Sequence, residues 1–287
     1  MATGATEFID ATTAAAAIPE LWSKEVQVAR DPELLFAELF DRHYEKELNY
    51  GDTLHVTPIG SLTVTTKDTS ANAAVLFETE TPTNIDIVVN TWQYAAVAIE
   101  TVEKKQSHLD LMGIYGPRMG VALAMAVDDV LAGLVDDFSN TLGVLGTETS
   151  YDDYIRGDQY LNDANAPQDG RAIVVSPAGK TGLMKLDQFI NADYSKLNAG
   201  ASPNLKSKNL GTWLGYPVYL SSNVEGTNAA GHDNAMFHKS AVALVIQINP
   251  TNHSQFDINF LAFKSVTEQL SGSKEMRDDH GVFLAGA

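Results

Sequence analysis

The chain has 287 residues, 44% of them hydrophobic and 20% charged, which is enough for one large domain or two modest ones with buried cores. It contains no cysteine, so disulfides and thiolate metal sites are excluded. Its 37 acidic and 19 basic residues give a formal net charge of −18, which disfavours a protein that grips nucleic acid, because such proteins use Lys and Arg to displace counterions from phosphates.

The N-terminal part of the chain begins with a segment of low complexity. Residues 1–19 are rich in Ala and Thr and lack the basic region of a secretory signal, so we expect an arm that is ordered only by contact with another surface. Asp31-Pro32 is a typical helix start, and residues 35–40 carry apolar side chains at helical spacing. No apolar run in the chain approaches the length of a membrane span.

Residues 51–99 change to a period of two. Leu54 and Val56 alternate with polar residues, as do Leu62 and Val64, and a second alternating run extends from residue 85 to residue 98. The polar stretch 67–84 separates the two runs. We therefore predict a long two-stranded ribbon with an irregular, mobile tip. Because an isolated hairpin is marginally stable, such a ribbon needs a partner surface on another subunit; the alternative is a hairpin that lies flat on its own domain.

Residues 107–140 form the longest periodic segment, with an apolar residue every three or four positions. A helix of that length is a rod of roughly 50 Å. Gly116-Pro117 should kink this helix or mark its start. The acidic pairs Asp128-Asp129 and Asp136-Asp137 are predicted to lie on its solvated face. A helix this long normally supports a packed sheet.

The remainder of the chain mixes short helices and strands. Residues 142–170 are polar and are predicted to be loop or short helices, whereas 172–175 is a compact buried strand followed by a helix start at Ser176-Pro177. Residues 198–207 are a predicted loop. Further strands are expected at 216–220, 241–248 and 256–263, with Asn249-Pro250 as the turn between the last two. This order indicates two lobes, one of them discontinuous.

Signatures of catalysis and ligand binding are incomplete wherever they occur. Gly179-Lys180-Thr181 ends like a phosphate-binding loop, but Val174 stands where that motif requires glycine. The acidic loop 163–170 has Pro167 at a calcium-ligand position, and the seven histidines have no metal-binding spacing. We therefore predict no catalytic residue, no cofactor and no metal.

Four stretches carry a resemblance that covers nearly the whole chain. They are Ile18-Pro19-Glu20-Leu21-Trp22, residues 51–56, residues 171–185, and residues 215–219 followed by 236–243. In this order they resemble the start of the amino-terminal arm, the entry to the extended E-loop, the middle of the axial domain and the exit from that domain in the major capsid proteins of tailed bacteriophages, which share the Hong Kong 97-type fold.

The resemblance implies an α+β fold of the Hong Kong 97 type. Its parts would be an N-terminal arm and lead-in helix at 1–50, the E-loop β-ribbon at 51–99, a peripheral domain with a long spine helix at 100–142 and 256–287, and an axial α/β domain at 143–255. The subunit-interface residues implied for the E-loop tip are Lys67, Asp68, Val75, Leu76, Phe77, Glu78 and Glu80, and those of the arm are Ile18, Pro19, Leu21 and Trp22.

The function implied by the resemblance is structural and not enzymatic. Such proteins self-assemble as pentamers and hexamers into an icosahedral head shell, made in the host cytoplasm and found in the virion, with no membrane partner. The shell would enclose double-stranded DNA without specific binding. Because the chain begins almost at the arm, a separate scaffolding protein is expected beside a portal protein. A cross-link through Lys67 is a further possibility, for which no partner asparagine is identified.

Three other functions stay open at this stage. An encapsulin-type nanocompartment shell would share the fold and enclose cargo enzymes instead of DNA. A phage tail or decoration protein would form tubes or small oligomers. A hydrolase would need a pocket with perturbed carboxylates or histidines that the sequence does not reveal.

Overall fold

The computed structural model describes residues 35–48, 50–60, 62–67, 74–75, 77–78, 83–107, 110–190 and 209–287. The helices in these residues are α1 Phe36–Leu39, α2 Thr101–Gln106, α3 Leu111–Ala132, α4 Tyr151–Asp163, α5 Pro177–Leu183 and α6 Asp187–Ile190. The strands are β1 Thr53–Val56, β2 Ile85–Val88, β3 Thr91–Glu100, β4 Thr141–Gly143, β5 Arg171–Val175, β6 Asn209–Trp213, β7 Tyr216–Leu220, β8 Gly226–Thr227, β9 Gly231–His238, β10 Val242–Asp257, β11 Ala262–Glu275 and β12 Gly281–Gly286. None of the described helices is long and apolar enough to cross a membrane.

A seven-stranded sheet forms the best-buried part of the molecule. Its order is β4-β12-β9-β5-β7-β6, with β8 paired to β9. Every residue of β5 and β12 is buried, because successive side chains enter two different apolar clusters. Ile173 packs with Tyr154 of α4, whereas Val174 packs with Phe36 of α1 and Leu131 of α3. The sheet is therefore covered on both faces, which explains the continuous apolar sequence of β5.

A three-stranded antiparallel sheet, β10-β11-β3, packs one face on α3. Gln269 of β11 lies on that face, where its amide donates to the carbonyl of Leu123 at 2.8 Å. Because side chains alternate along a strand, Trp92 and Tyr94 of β3 lie on the opposite face, and both are exposed. A separate two-stranded sheet pairs β1 with β2.

The central helix is shorter than predicted. Asp110 caps α3 by accepting from the backbone N–H of Gly113, and the helix ends at Ala132, with Pro117 inside it. The apolar spacing continues to Phe138 because Val135 and Phe138 still enter the core, although they do so from turns. Spacing alone therefore overestimated the helix at its C-terminal end.

Helix α4 was missed by the prediction of loop or short helices for residues 142–170. It has thirteen residues and begins with a capping box, in which Ser150 and Asp153 bond each other's backbone N–H groups. Its apolar face is narrow, since Tyr154 and Leu161 carry most of the burial on a polar helix. The Ser-x-x-Asp spacing was the signal that could have revealed it.

The predicted turn at Asn249-Pro250 is wrong, because both residues lie inside β10. Breaks in the register of β10 with β11 between Ile246 and Thr251 accommodate the proline. Pro is tolerated there since β10 is an edge strand whose outer N–H groups need no sheet partner. The actual turn is at residues 258–261, where Leu261 has a φ of 47°.

The ribbon and the two lobes also differ from expectation in their strand pairing. Among the described residues of the ribbon, regular pairing joins only β1 and β2. Strand β3 pairs with β11 instead, and Leu62 and Val64 lie outside any strand. Strand β12 belongs to the seven-stranded sheet, although residues 256–287 were assigned to a single unit. A period of two identifies a strand but does not name its partner. The domain boundaries themselves stay predictions. The arm, the cap at Asp31-Pro32 and the loop 198–207 lie outside the described residues.

Candidate functional site

The segment that joins β1 to β2, residues 57–84, is here called the β1–β2 loop. The large apolar side chains of its described residues are strongly exposed: Val64 is 98% exposed and Phe77 is 91% exposed. The others are Ile59, Leu62 and Val75. Clustered exposed apolar side chains usually mark a binding surface. The loop is therefore the first candidate for an interaction site.

Polar contacts join the paired strands β1 and β2 and continue into the loop beyond them. His55 Nδ1 lies 2.6 Å from Asp86, and Thr57 Oγ1 donates to Asn84 at 2.7 Å. Further along, Glu78 accepts from the backbone N–H of Thr63 at 2.9 Å and from its hydroxyl at 3.0 Å. These contacts continue the alignment of the β1–β2 pair, so the two sides of the loop run together as far as Thr63 and Glu78.

The predicted interface residues fall into two groups. Lys67, Val75, Phe77 and Glu78 are described and exposed. Glu78, one of the implied interface residues, has Thr63 of its own loop as a partner. The other predicted residues lie outside the described part of the chain: Asp68, Leu76 and Glu80 of the loop, and Ile18, Pro19, Leu21 and Trp22 of the arm.

A second exposed surface, missed by sequence reasoning, is the free face of the three-stranded sheet. Trp92 is 69% exposed and Tyr94 is 71% exposed. The indole N–H of Trp92 donates to Glu268 at 3.0 Å, and His253 Nε2 lies 3.2 Å from the other oxygen of Glu268. The alternation of Trp92, Tyr94, Ala96 and Ala98 carried the signal, but it had been assigned to the ribbon.

The turn between β10 and β11 is a third exposed apolar region. It was missed because the turn was predicted at Asn249-Pro250. Ile258, Phe260 and Leu261 are all largely exposed. The ammonium group of Lys264 lies 4.2 Å from the ring centre of Phe260 and also pairs with Asp257. These contacts orient the turn, but they leave its apolar side chains uncovered by the described chain.

Asp128 was predicted to lie on the solvated face of the long helix, and the structure corrects this. Its carboxylate is buried and accepts from the backbone N–H of Leu35 at 3.2 Å and of Ala37 at 3.1 Å. The amide of Asn223 donates to it at 3.2 Å, while burial raises its pKa. Asp128 therefore caps α1 from a distant part of the chain. Asp129, Asp136 and Asp137 are exposed, as predicted.

Among the described carboxyl groups, the largest shift in pKa is at Glu275, at the end of β11. Burial and the neighbouring Asp278 and Asp137 raise its pKa to about 7. One of its oxygens is buried with no hydrogen-bond partner. No group of three or more metal-binding side chains occurs within the described ranges. The arrangement is an acidic contact between β11 and the turn before β12.

Known proteins resemble this chain in fold much more than in sequence. No protein-family model and no curated protein matches the chain. Among solved structures, a chain of Mycobacterium phage Che8 is 25% identical with a TM-score of 0.80, covering 93% of this chain and 96% of that chain. The capsid structure of cyanophage P-SCSP1u is 16% identical with a TM-score of 0.71, covering 95% and 94%. The mature capsid of bacteriophage PhiM1 is 14% identical with a TM-score of 0.69, covering 94% and 93%.

These likenesses extend over nearly the full length of both partners in each comparison. More than nine tenths of this chain is covered in each comparison, so the likeness is to the fold as a whole. The resemblance to bacteriophage capsid proteins expected from four sequence stretches is thereby confirmed, and the chain is a mixed helix-and-sheet protein with the phage capsid fold.

Proposed function

We propose that the chain is the major capsid protein of a tailed bacteriophage, a structural subunit without enzymatic activity. It would self-assemble as pentamers and hexamers into the icosahedral head shell that encloses double-stranded DNA. The observation that carries this proposal is the capsid fold, matched over more than nine tenths of this chain and of the capsid chains compared. The virion is its proposed location, after assembly in the host cytoplasm.

The β1–β2 loop is the proposed E-loop, and it would lie on a neighbouring subunit. Val64 and Phe77 support this role, because such exposed apolar side chains are costly to leave in water and no described part of the same chain covers them. The predicted tip residues and the N-terminal arm stay part of this proposal. Helix α3 would be the spine helix of the peripheral domain, and the strands β5 to β9 of the seven-stranded sheet would belong to the axial domain.

The net charge of −18 supports a shell that encloses DNA without binding it specifically. A separate scaffolding protein and a portal protein are proposed partners, on the strength of the resemblance alone. We expect isolated subunits to bind duplex DNA weakly at physiological salt. Tight, salt-sensitive binding in an electrophoretic mobility assay would contradict this part of the proposal, because it would require a concentrated basic patch.

The test of the proposal is assembly of full-length chains. We expect purified subunits, with the scaffolding protein where it is required, to form closed shells visible by negative-stain electron microscopy. Replacing two exposed loop residues, Val64→Ser and Phe77→Ser, should lower the shell yield in sedimentation at least tenfold while the subunit stays folded. The loss follows from removing the apolar contact that the loop would make with a neighbour.

A matched control uses the same loop. Thr65→Ser and Thr66→Ser change two exposed polar residues there and should leave the shell yield unchanged. Tubes or small rings instead of shells would contradict the capsid assignment. Normal shells from the Val64→Ser, Phe77→Ser variant would contradict the role given to the loop, and would leave the capsid assignment intact.

A further inference from the structure

Two connections join the seven-stranded sheet to the three-stranded sheet close to each other. Residues 239–241 lead from β9 to β10, and residues 276–280 lead from β11 to β12. The backbone N–H groups of Met276 and Arg277 both donate to the carbonyl of Ala241, at 2.8 and 3.2 Å. We call these two connections the junction. Among the described strands, they are two of the three connections between the sheets, and the third runs from β3 through α2 and α3 to β4.

Two buried histidines and one serine form a chain of hydrogen bonds across the junction. His238 Nε2 lies 3.0 Å from the backbone carbonyl oxygen of Asp169. His238 Nδ1 lies 2.7 Å from the hydroxyl of Ser240, and that hydroxyl lies 2.7 Å from His280 Nδ1. His238 belongs to β9, and His280 ends the second connection. The hydroxyl of Ser240 therefore links the two connections directly.

The donors in this chain can be assigned from its ends. A carbonyl oxygen only accepts, so His238 Nε2 carries a proton. His238 Nδ1 also receives the backbone N–H of Ser240 at 3.2 Å, so it is an unprotonated acceptor and the ring is neutral. Ser240 has one hydroxyl proton. If that proton is donated to His238, the bond to His280 requires His280 Nδ1 to be the donor.

We propose that the hydrogen bonds at this junction are sensitive to acid. They are intact while His238 is neutral and are disrupted when His238 takes up a proton. A proton on His238 Nδ1 would point at the N–H of Ser240, so two donors would face each other. The hydroxyl of Ser240 has two lone pairs and could still accept from both rings, but the backbone N–H of Ser240 would lose its acceptor. The first connection would then have to shift at Ser240, and the carbonyl of Ala241, which accepts from Met276 and Arg277, would shift with it. This inference does not depend on the proposed function.

The surroundings of both rings oppose protonation. His238 faces Lys239, Arg171 and His280, while His280 faces Arg277 and Arg171 together with the acidic Asp279 and the carbonyl of Ala164. Burial is the largest cause that lowers the pKa of both histidines, and the cations lower it further, whereas the carbonyls and Asp279 act in the opposite direction. Asp158 pairs with Arg171 at 3.1 Å and moderates its effect. We therefore expect the change to occur below about pH 6.5, the ordinary pKa of an exposed histidine.

Nitrogen-15 NMR of the histidine rings in the full chain tests the assignment directly. At pH 8, we expect His238 in the neutral form with its proton on Nε2, and His280 with a proton on Nδ1. Hydrogen exchange then tests the consequence. Between pH 7 and pH 5, the protection factors of the Met276 and Arg277 amides, corrected for intrinsic exchange, should fall at least tenfold. Amides in β5 should keep their protection.

Two variants separate this device from general acid destabilisation. His238→Gln removes the titrating ring, so protection at Met276 and Arg277 should vary little between pH 7 and pH 5. His253→Gln changes an exposed histidine on the free sheet face and should retain the full response. A proton on His238 Nδ1 at pH 8, or unchanged protection between pH 7 and pH 5, would overturn the proposal. The measurements on the unmodified chain decide the question even if His238→Gln fails to fold.

Discussion

The seven-stranded sheet buries its apolar side chains, whereas the β1–β2 loop exposes those of its described residues. In the sheet, β5 and β12 are buried along their whole length, and even the guanidinium of Arg171 has partners for its donors. In the loop, the large apolar residues Val64 and Phe77 are almost fully exposed. Contacts within the single chain account for the burial of the sheet, whereas they leave Val64 and Phe77 of the loop uncovered. Substitutions in the first region should change unfolding, and substitutions in the second should change association.

The largest effect is expected at Arg171. This buried side chain donates to the carbonyls of Pro167, Leu161 and Ala166 and contacts Asp158 and Tyr216. Arg171→Met leaves these acceptors without their donor, so the free energy of unfolding should fall by about 3–5 kcal/mol. Urea denaturation measures it. The control, Arg156→Met, removes an exposed ion pair with Asp152 and should cost less than about 0.5 kcal/mol. Equal losses for the two variants would mean that the buried Arg171 and the exposed Arg156 contribute equally to the free energy of unfolding.

A somewhat smaller loss is expected at Asp128. In Asp128→Ala, the backbone N–H groups of Leu35 and Ala37 lose their buried acceptor, which should cost about 2–4 kcal/mol in the free energy of unfolding. Asp129→Ala, one position away on an exposed face, should stay within about 0.5 kcal/mol of the parent. Chemical denaturation of both variants gives the comparison. If Asp128→Ala matches Asp129→Ala, the cap on α1 has no energetic role.

A pH-dependent effect is expected at Glu275, because its pKa in the folded chain, about 7, is above its ordinary value of 4.5. The stability associated with its protonated form is complete below pH 4.5 and is lost as the pH rises through 7. Glu275→Gln removes this loss, so the variant should gain in urea midpoint relative to the parent between pH 5 and pH 8. Glu103→Gln, on exposed α2, should show no such trend. A constant difference across that range would mean that Glu275 is ionised throughout.

The lowered pKa values of His238 and His280 act in the opposite direction. Their contribution to stability is complete above the ordinary histidine pKa and is lost as the pH falls through the lower folded values. Stability should therefore decline on both sides of an intermediate pH. The acidic limb should be smaller in His238→Gln, whereas the alkaline limb should disappear in Glu275→Gln.

The smallest effect on unfolding is expected in the loop. Val64→Ser should change the free energy of unfolding by less than about 0.5 kcal/mol, because the side chain is already in water. The same substitution in β5, Val174→Ser, removes buried methyl groups and introduces a hydroxyl among apolar neighbours, which should cost about 2–4 kcal/mol. Thermal unfolding of the two variants sharpens the comparison. A large loss from Val64→Ser would place the loop in the subunit core.

Features that depend on local chemistry could be predicted from the sequence. Ser176-Pro177 begins α5 as expected, since the serine hydroxyl accepts from Gly179 and proline suits the first helical position. The buried strand at 172–175 was also predicted correctly. Features set by distant contacts were not predictable in the same way. The period of two at Trp92 identifies a strand, but nothing local shows that β11 is its partner or that its apolar face is exposed.

The candidate site divides along the same line. The β1–β2 loop stands out in the sequence as a polar stretch between alternating runs, and its exposed apolar residues include the predicted Val75 and Phe77. The capping role of Asp128 could not be inferred, because it depends on Leu35, which lies 93 positions away in sequence. The hydrogen-bond chain at the junction was hidden for the same reason, since Ser240 and His280 are 40 positions apart.

Strand β12 has a consequence for the timing of folding. It lies between β4 and β9 inside the seven-stranded sheet, yet it is the last of the described strands along the chain. The sheet cannot be completed while residues 281–286 are still being synthesised, and the pairing of β12 with β4 must wait for a long-range loop to close. A ribosome that stops before Gly281 releases a chain in which β4 and β9 present unpaired edges to the cell. Such truncated chains would aggregate or be degraded, and they would not assemble with finished subunits.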